Sequence, residues 1–131
     1  MEAASKGAKA RGDLAVGIIP QNEKRYANAY CDVVISTGLG YSRNFVTAYS
    51  GDAVIVVGGG AGTAIEARVA YLKGKPIIAI KGSGGTADKI GGHYLDDRRV
   101  VKVMAEEGPK IAVEKIFKAL ADISINEGKK H

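Results

Sequence analysis

Five short apolar runs alternate with helix-like segments along this chain, and that alternation restricts the fold more than any other feature. The runs occupy residues 14–18, 32–36, 53–57, 76–80 and 99–103. Most are continuous and rich in β-branched residues, as expected for strands covered on both faces. Helical patterns cover residues 1–11, 42–49, 63–73 and 109–123. Strand–helix–strand alternation with short links predicts an α/β, Rossmann-like three-layer sandwich with a mostly parallel sheet.

The length of 131 residues predicts one nucleotide-binding domain spanning residues 1–131. In the last helix we expect the inward-facing side chains to be Ala112, Ile116, Phe117 and Leu120. The segments 20–30 and 82–97 read as long loops, which often carry function.

Composition narrows the compartment and the partners. No apolar run reaches the roughly 18 residues of a membrane span, and Cys31 is the one cysteine. We expect Cys31 to be a buried filler in a protein of the reducing cytoplasm, with no disulfide and no cysteine-rich zinc site. The net charge of +5 suits small anionic ligands. Nucleic acid is an unlikely partner, because there is no Trp and no long basic run.

A glycine-rich loop between a strand and a helix is the strongest signal for function. It consists of Gly58, Gly59, Gly60, Ala61, Gly62 and Thr63. Glycines let the backbone approach a ligand closely, and the following helix offers unpaired N–H groups to an anion. The loop therefore predicts a phosphate site, although it is neither a Walker motif nor an intact dinucleotide fingerprint. A tight turn that needs small residues only for packing is the alternative.

Two charged residues near this loop have two readings each. Glu66 completes a capping box if Thr63 is the N-cap, or it is a carboxylate that faces the ligand. Arg43 begins a helix, where the dipole disfavours positive charge, so a phosphate or carboxylate partner is expected. A solvent-exposed arginine is the alternative for Arg43.

A second glycine-rich segment, residues 82–88, follows the next strand and should lie beside the first loop. Lys81, Ser83 and Thr86 are candidate ligand contacts there, and a flexible lid is the other reading. His93 lacks the spacing to other ligands that a metal site needs, so the sequence favours a structural role for His93 over a role in the site. Residues 96–97, both Asp, are read as a loop or cap pair. No metal site is predicted.

Arg43, the loop and Glu66 together resemble the Lonely-Guy-type phosphoribohydrolases, long mislabelled lysine decarboxylases. Their signature is an arginine followed by Pro-Gly-Gly-x-Gly-Thr-x-x-Glu, and the 23 residues from Arg43 to Glu66 agree with its spacing. This resemblance implies that the glycines hold the phosphate of a nucleoside monophosphate. It also implies that Arg43 and Glu66 serve cleavage of the base–ribose bond, which would make them the catalytic residues of a hydrolase.

At two positions the sequence departs from the hydrolases and is more similar to the molybdenum cofactor carrier branch of the same superfamily. Gly58 stands where the hydrolases have proline, and Asn44 follows Arg43 where they usually have lysine. Carriers bind a pterin phosphate without turnover. The resemblance thus implies binding of a phosphorylated nucleotide or pterin as a cofactor carrier, with phosphoribohydrolase activity as the alternative. No cofactor is required; an AMP-like nucleotide or molybdopterin is the expected bound ligand.

The opening of the chain resembles the middle of these relatives. We therefore expect one strand–helix–strand unit of the relatives, which includes a strand that is central in them, to be missing here. Either the start was assigned late or cut away, or a partner chain fills the gap. Sheet edges and apolar faces left open in this way favour association. We therefore expect a homodimer or higher homo-oligomer, with the helices at residues 1–11 and 42–49 as candidate contacts.

Overall fold

The structure, a computed structural model, describes residues 1–129, so residues 130–131 of the basic C-terminal segment lie outside the description. It divides into two compact units, Met1–Thr47 and the part from Ala48 onward. Each unit has its own parallel sheet, with strand order β1-β2 in the first and β3-β4-β5 in the second. The single-domain assignment of residues 1–131 stays a prediction.

The first unit is built around two parallel strands. Its elements are α1 (Glu2–Ala10), β1 (Val16–Ile19), β2 (Val33–Ser36) and the start of α2 (Arg43–Ser50). Single turns of 3₁₀ helix lie at Lys24–Tyr26 and Gly40–Ser42. Val16 pairs with Val33 and Ile18 with Ile35.

Cys31 packs against the backbone of β1. A Cβ atom on Gly17 would lie 2.6 Å from Cys31 Sγ, so any larger residue at position 17 would have to displace the sulfur. Cys31 is half-buried, which corrects the expectation of a fully buried filler. Its sulfur also lies 3.7 Å from Ser5 Oγ of α1, so it links the helix to the strand.

The second unit has helices on both faces of its sheet. Its elements are β3 (Val54–Val56), α3 (Ala61–Leu72), β4 (Ile77–Ile80), α4 (Gly85–Ile90), β5 (Met104–Glu106) and α5 (Pro109–Gly128). On one face Ile77 and Ala79 pack with α3 and α4, and on the other Ile78 packs against Ala112 and Ile116 of α5. Successive strand residues point to opposite faces, which gives three layers. The Rossmann-like α/β class is confirmed.

Two sequence expectations were wrong here. The last strand is Met104–Glu106, after the expected 99–103, because Arg99 has φ 50° and Val103 pairs instead with Gly92 and His93. The expected loop 82–97 contains α4.

The inward face of α5 is narrower than expected. Ala112 and Ile116 are buried and Leu120 is half-buried, whereas Phe117 is 66% exposed. A residue next to Ile116 lies about 100° around the helix, which turns Phe117 away from the sheet. Among the described residues, no helix is both long and apolar enough to cross a membrane.

Candidate anion-binding site at a glycine-rich loop

The glycine loop joins the carboxyl end of β3 to the first turn of α3. Gly58 and Gly59 have φ values of 53° and 92°, a region that favours glycine. Gly60 is the N-cap, and its carbonyl accepts the first helical hydrogen bond, from the amide of Ala64 at 3.0 Å. The chain therefore reverses within three residues and enters the helix directly.

The segment after β4 holds the glycine loop in place by hydrogen bonds, mainly to the carbonyl groups of the loop. We call this set of hydrogen bonds the clasp. The amides of Thr86 and Ala87 donate to the carbonyls of Gly59 and Gly58 at 2.8 and 3.0 Å. Thr86 Oγ1 donates to the Gly60 carbonyl at 3.0 Å, and the Gly58 amide donates to Ser83 Oγ at 2.8 Å. All three glycine carbonyls are thus held by hydrogen bonds.

The N–H groups of the peptides whose carbonyls are held in this way are available to a ligand. In a trans peptide the N–H points opposite to the C=O, so the amides of Gly59, Gly60 and Ala61 point away from the donors of Thr86 and Ala87 in the first turn of α4. Within residues 1–129, no hydrogen bond is donated by the amides of residues 59–63. Together with the positive end of the α3 dipole, this row of donors is suited to an anion.

The two central glycines have different reasons to be glycine. A Cβ on Gly59 would lie 2.5 Å from Cβ and Cγ2 of Thr63, so that backbone packs against the threonine side chain. A Cβ on Gly60 would meet nothing within 4 Å, and its φ is −104°. The space beside Gly60 is open to a ligand.

The capping box was a wrong expectation. Because α3 begins at Ala61, Thr63 is its third residue and Glu66 its sixth, so the two cannot cap the helix together. Glu66 is half-buried in the first half of α3. Its role as a ligand-facing carboxylate stays a prediction.

Arg43 is the first residue of α2, in the first unit. It is half-buried, and its Nη1 donates to the Ile18 carbonyl of β1 at 3.3 Å. The solvent-exposed alternative is therefore wrong. The glycine loop and Glu66 belong to the other unit, and the joint catalytic role of Arg43 and Glu66 stays a prediction.

The contacts expected from the second glycine segment have separate positions. The side chains of Ser83 and Thr86 form hydrogen bonds of the clasp. The segment is therefore ordered and hydrogen-bonded, and the expectation of a flexible lid was wrong. Thr86 also lines a cleft beside the loop. Lys81 lies instead in a shallow hollow with Asp88 and Glu107. Ligand contact by these side chains stays a prediction.

The cleft beside the loop has a volume of about 660 Å³ and lies between α3 and α4. It starts at Gly59, Gly60 and Ala61 and is closed by residues 93–95. Its lining includes Arg68 and Lys89, which the sequence analysis missed. The signal available was helical spacing, since Ala61, Ala64 and Arg68 lie on one side of α3.

A buried tyrosine anchors the segment that closes the cleft. Tyr71, only 2% exposed, donates to Asp96 Oδ1 at 2.6 Å and accepts from the Val100 amide at 3.0 Å. Asp96 also accepts from Arg98 Nε at 2.7 Å. Hydrogen bonds from Arg98 and then Tyr71 lower the pKa of Asp96, so these contacts stabilise the fold at neutral pH and are lost as the pH falls through that pKa.

The expectation that residue 96 belongs to a loop pair is therefore confirmed. Among the described residues there is no group of three His, Cys, Asp or Glu side chains arranged to hold a metal.

Comparison with known proteins decides the family. A family model described as the SLOG cluster4 family matches residues 1–115. The chain belongs to the SLOG cluster4 family. Together with the two solved structures described next, this match confirms the resemblance to the Lonely-Guy-type superfamily, nearest to its molybdenum cofactor carrier branch.

Two solved structures resemble this SLOG protein. The X-ray structure of the structural genomics target TM1055 is 38% identical, with a TM-score of 0.82 over 89% of this chain and 71% of that one. The molybdenum cofactor binding protein from the phototrophic bacterium Rippkaea orientalis is 29% identical, with a TM-score of 0.73 over 92% of this chain and 71% of that one.

An uncharacterised protein of Archaeoglobus fulgidus is 45% identical over 75 residues. The match includes 57% of this chain and 49% of the relative, so the chain spans about half the length of that curated relative.

The anchor of the cleft wall gives a stability prediction. Tyr71→Phe removes the hydroxyl that bonds the Val100 amide and the Asp96 carboxylate. We expect the free energy of unfolding, measured in urea, to fall by about 1–3 kcal/mol. Tyr94→Phe is the matched control, because no hydrogen bond of the Tyr94 hydroxyl is found among the described residues. Its effect should stay within about 0.5 kcal/mol. Equal losses in the two variants would contradict the anchor.

Proposed function

We propose that this protein binds a phosphorylated nucleotide or pterin, with the phosphate on the amides of residues 59–63, and acts as a cofactor carrier. The observation that carries the proposal is the row of amides without acceptors at the start of α3. Oriented N–H groups and a helix dipole stabilise an anion by up to ~2 kcal/mol in a partly buried geometry. AMP-like nucleotides and molybdopterin are the proposed ligands, and no cofactor is proposed to be required.

The carrier role is supported by the relatives and by the departures from the hydrolase signature. The Rippkaea orientalis structure is that of a molybdenum cofactor binding protein. Gly58, with φ 53°, occupies the position of the hydrolase proline, and proline fixes φ near −65°. The loop of this protein is thus bent in a way that the hydrolase sequence does not allow. The single cysteine supports a reducing, cytoplasmic setting.

Hydrolysis of a nucleoside monophosphate is the second candidate function. It is supported by the spacing of Arg43 and Glu66, which agrees with the phosphoribohydrolase signature. Cleavage of the base–ribose bond passes through a cation-like sugar, which the Glu66 carboxylate would stabilise while Arg43 holds the phosphate. Water would supply the hydroxyl of the ribose 5-phosphate product, and the base would leave with a proton.

We also propose that the protein self-associates. Val16, Val33 and Ile35 lie on one face of the β1–β2 sheet and are 53%, 47% and 44% exposed. Parallel sheets normally have both faces covered. A second copy of the chain would cover this face and remove the apolar side chains from water.

Blocking the space beside Gly60 tests phosphate binding. Gly60→Val introduces a branched side chain over the amides where the structure has open space, so the fold should survive. We expect AMP affinity, measured by calorimetry, to fall at least about tenfold, a loss of about 1.4 kcal/mol. Gly60→Ala, which adds one methyl group, should bind AMP more tightly than Gly60→Val. Unchanged AMP binding by a folded Gly60→Val protein would overturn the site.

Adenine release from AMP separates the carrier from the hydrolase. A carrier releases none, whereas in a hydrolase Glu66→Gln should reduce release by about 100-fold with little change in AMP affinity, because a carboxylate charge is removed from the transition state. Arg43→Ala should weaken AMP binding in both cases. If both variants match the wild type in affinity, adenine release and melting temperature, the roles of Arg43 and Glu66 are wrong.

Light scattering at micromolar concentration tests self-association. We expect at least a dimer, because water contact with the face of Val16, Val33 and Ile35 is unfavourable. The double variant Val33→Lys, Ile35→Lys places two positive charges on each copy of that face and should be a monomer. A wild-type protein that is a compact, stable monomer would contradict this part of the proposal.

A further inference from the structure

The cleft between α3 and α4 has a charge pattern that phosphate binding at the loop does not use. Arg68, Lys89 and His93 line it, and its lining contains no Asp or Glu. Three other cations of the second unit have partners: Arg98 pairs with Asp96, Lys115 with Glu106, and Lys75 donates to three carbonyls. Within residues 1–129 no ion pair of Arg68 or Lys89 is found.

The walls of the cleft are held in position without a ligand. Arg68 Nη1 donates to the Leu95 carbonyl at 3.4 Å, which directs the guanidinium toward the segment that closes the cleft. The backbone of His93 is fixed at both ends, since its amide donates to Ile90 and its carbonyl accepts from Val103. The imidazole is exposed on this fixed backbone. Binding an anion here would therefore require little ordering of the backbone, while the exposed side chains of Arg68 and Lys89 would become ordered.

The cleft is continuous with the proposed phosphate site. Gly59, Gly60 and Ala61 belong to both, and small side chains at Ala64 and Ala67 leave the floor of the cleft open. Ala61 and Arg68 are seven residues apart on α3, which corresponds to about 10 Å along the helix axis. A ligand whose phosphate lies on the loop amides can extend along α3 toward the cations.

We propose that the ligand carries a second anionic group, and that Arg68, Lys89 and His93 bind this group in the cleft. The inference rests on the proposed phosphate site. The chemical class is a nucleotide-type ligand with a second phosphate, or a carboxylate, on the far side of its sugar or ring.

Adenosine 3′,5′-bisphosphate and AMP are the matched probes, because they differ only by a phosphate on the far side of the ribose. We expect the wild-type protein to bind the bisphosphate about tenfold more tightly than AMP in low salt. Arg68→Gln and Lys89→Gln should each reduce this ratio toward one and leave AMP affinity within about twofold. Lys118→Gln, which removes an exposed charge from α5, should leave the ratio unchanged.

The imidazole of His93 provides a second, local readout. The sequence contains only one other histidine, at position 131, so the two resonances are simple to assign. We expect the His93 resonance to shift on addition of the bisphosphate much more than on addition of AMP. The substitution His93→Gln then gives an independent variant, in which the ratio of bisphosphate to AMP affinity should also fall.

The outcomes separate the cleft from the phosphate loop. If AMP binds and Gly60→Val abolishes its binding, but the bisphosphate is no tighter, the cleft proposal is wrong and the proposed function stands. A ratio that is unchanged in Arg68→Gln and Lys89→Gln also overturns it. If the wild type binds neither probe, both proposals fall.

Discussion

The hydrogen-bonded clasp between the glycine loop and the segment after β4 is the constraint on which the site depends. Thr86 and Ala87 use their amides, and Thr86 its hydroxyl, to hold the carbonyls of Gly58, Gly59 and Gly60. Once the carbonyls are held on one side, the attached amides must point to the other. The donors that make this loop suitable for an anion are thus oriented by a second loop.

The clasp also explains why glycine is frequent on both sides of it. A Cβ on Gly85 would lie 3.0 Å from the carbonyl carbon of Gly58 and from the nitrogen of Gly59, which are backbone atoms that cannot move aside. Gly59 in turn packs on Thr63 at the start of α3. The two glycine-rich segments therefore fit together backbone to backbone, and packing and anion binding are complementary roles of the same glycines.

The anchoring of the cleft follows from the same arrangement of helices around β4. Tyr71, in the last turn of α3, holds Asp96 and the Val100 amide, so the chain between α4 and β5 is fixed above the cleft. This keeps Arg68 and His93 beside Lys89. The proposed second anion site therefore relies on a hydrogen-bond network that also stabilises the core of the second unit.

The sequence by itself determined the alternation of strands and helices, the parallel class, the glycine loop and the family, because apolar periodicity and glycine spacing are local signals. It misplaced the strand at 99–103 and the cap at Thr63, since β-branched residues and a Thr-x-x-Glu spacing fit more than one local structure. Only the tertiary structure decided which carbonyls the clasp holds, and therefore which way the amides face. It also decided that Arg68, Lys89 and His93 share one cleft, because that depends on how α3, α4 and the following segment pack, which no local pattern specifies.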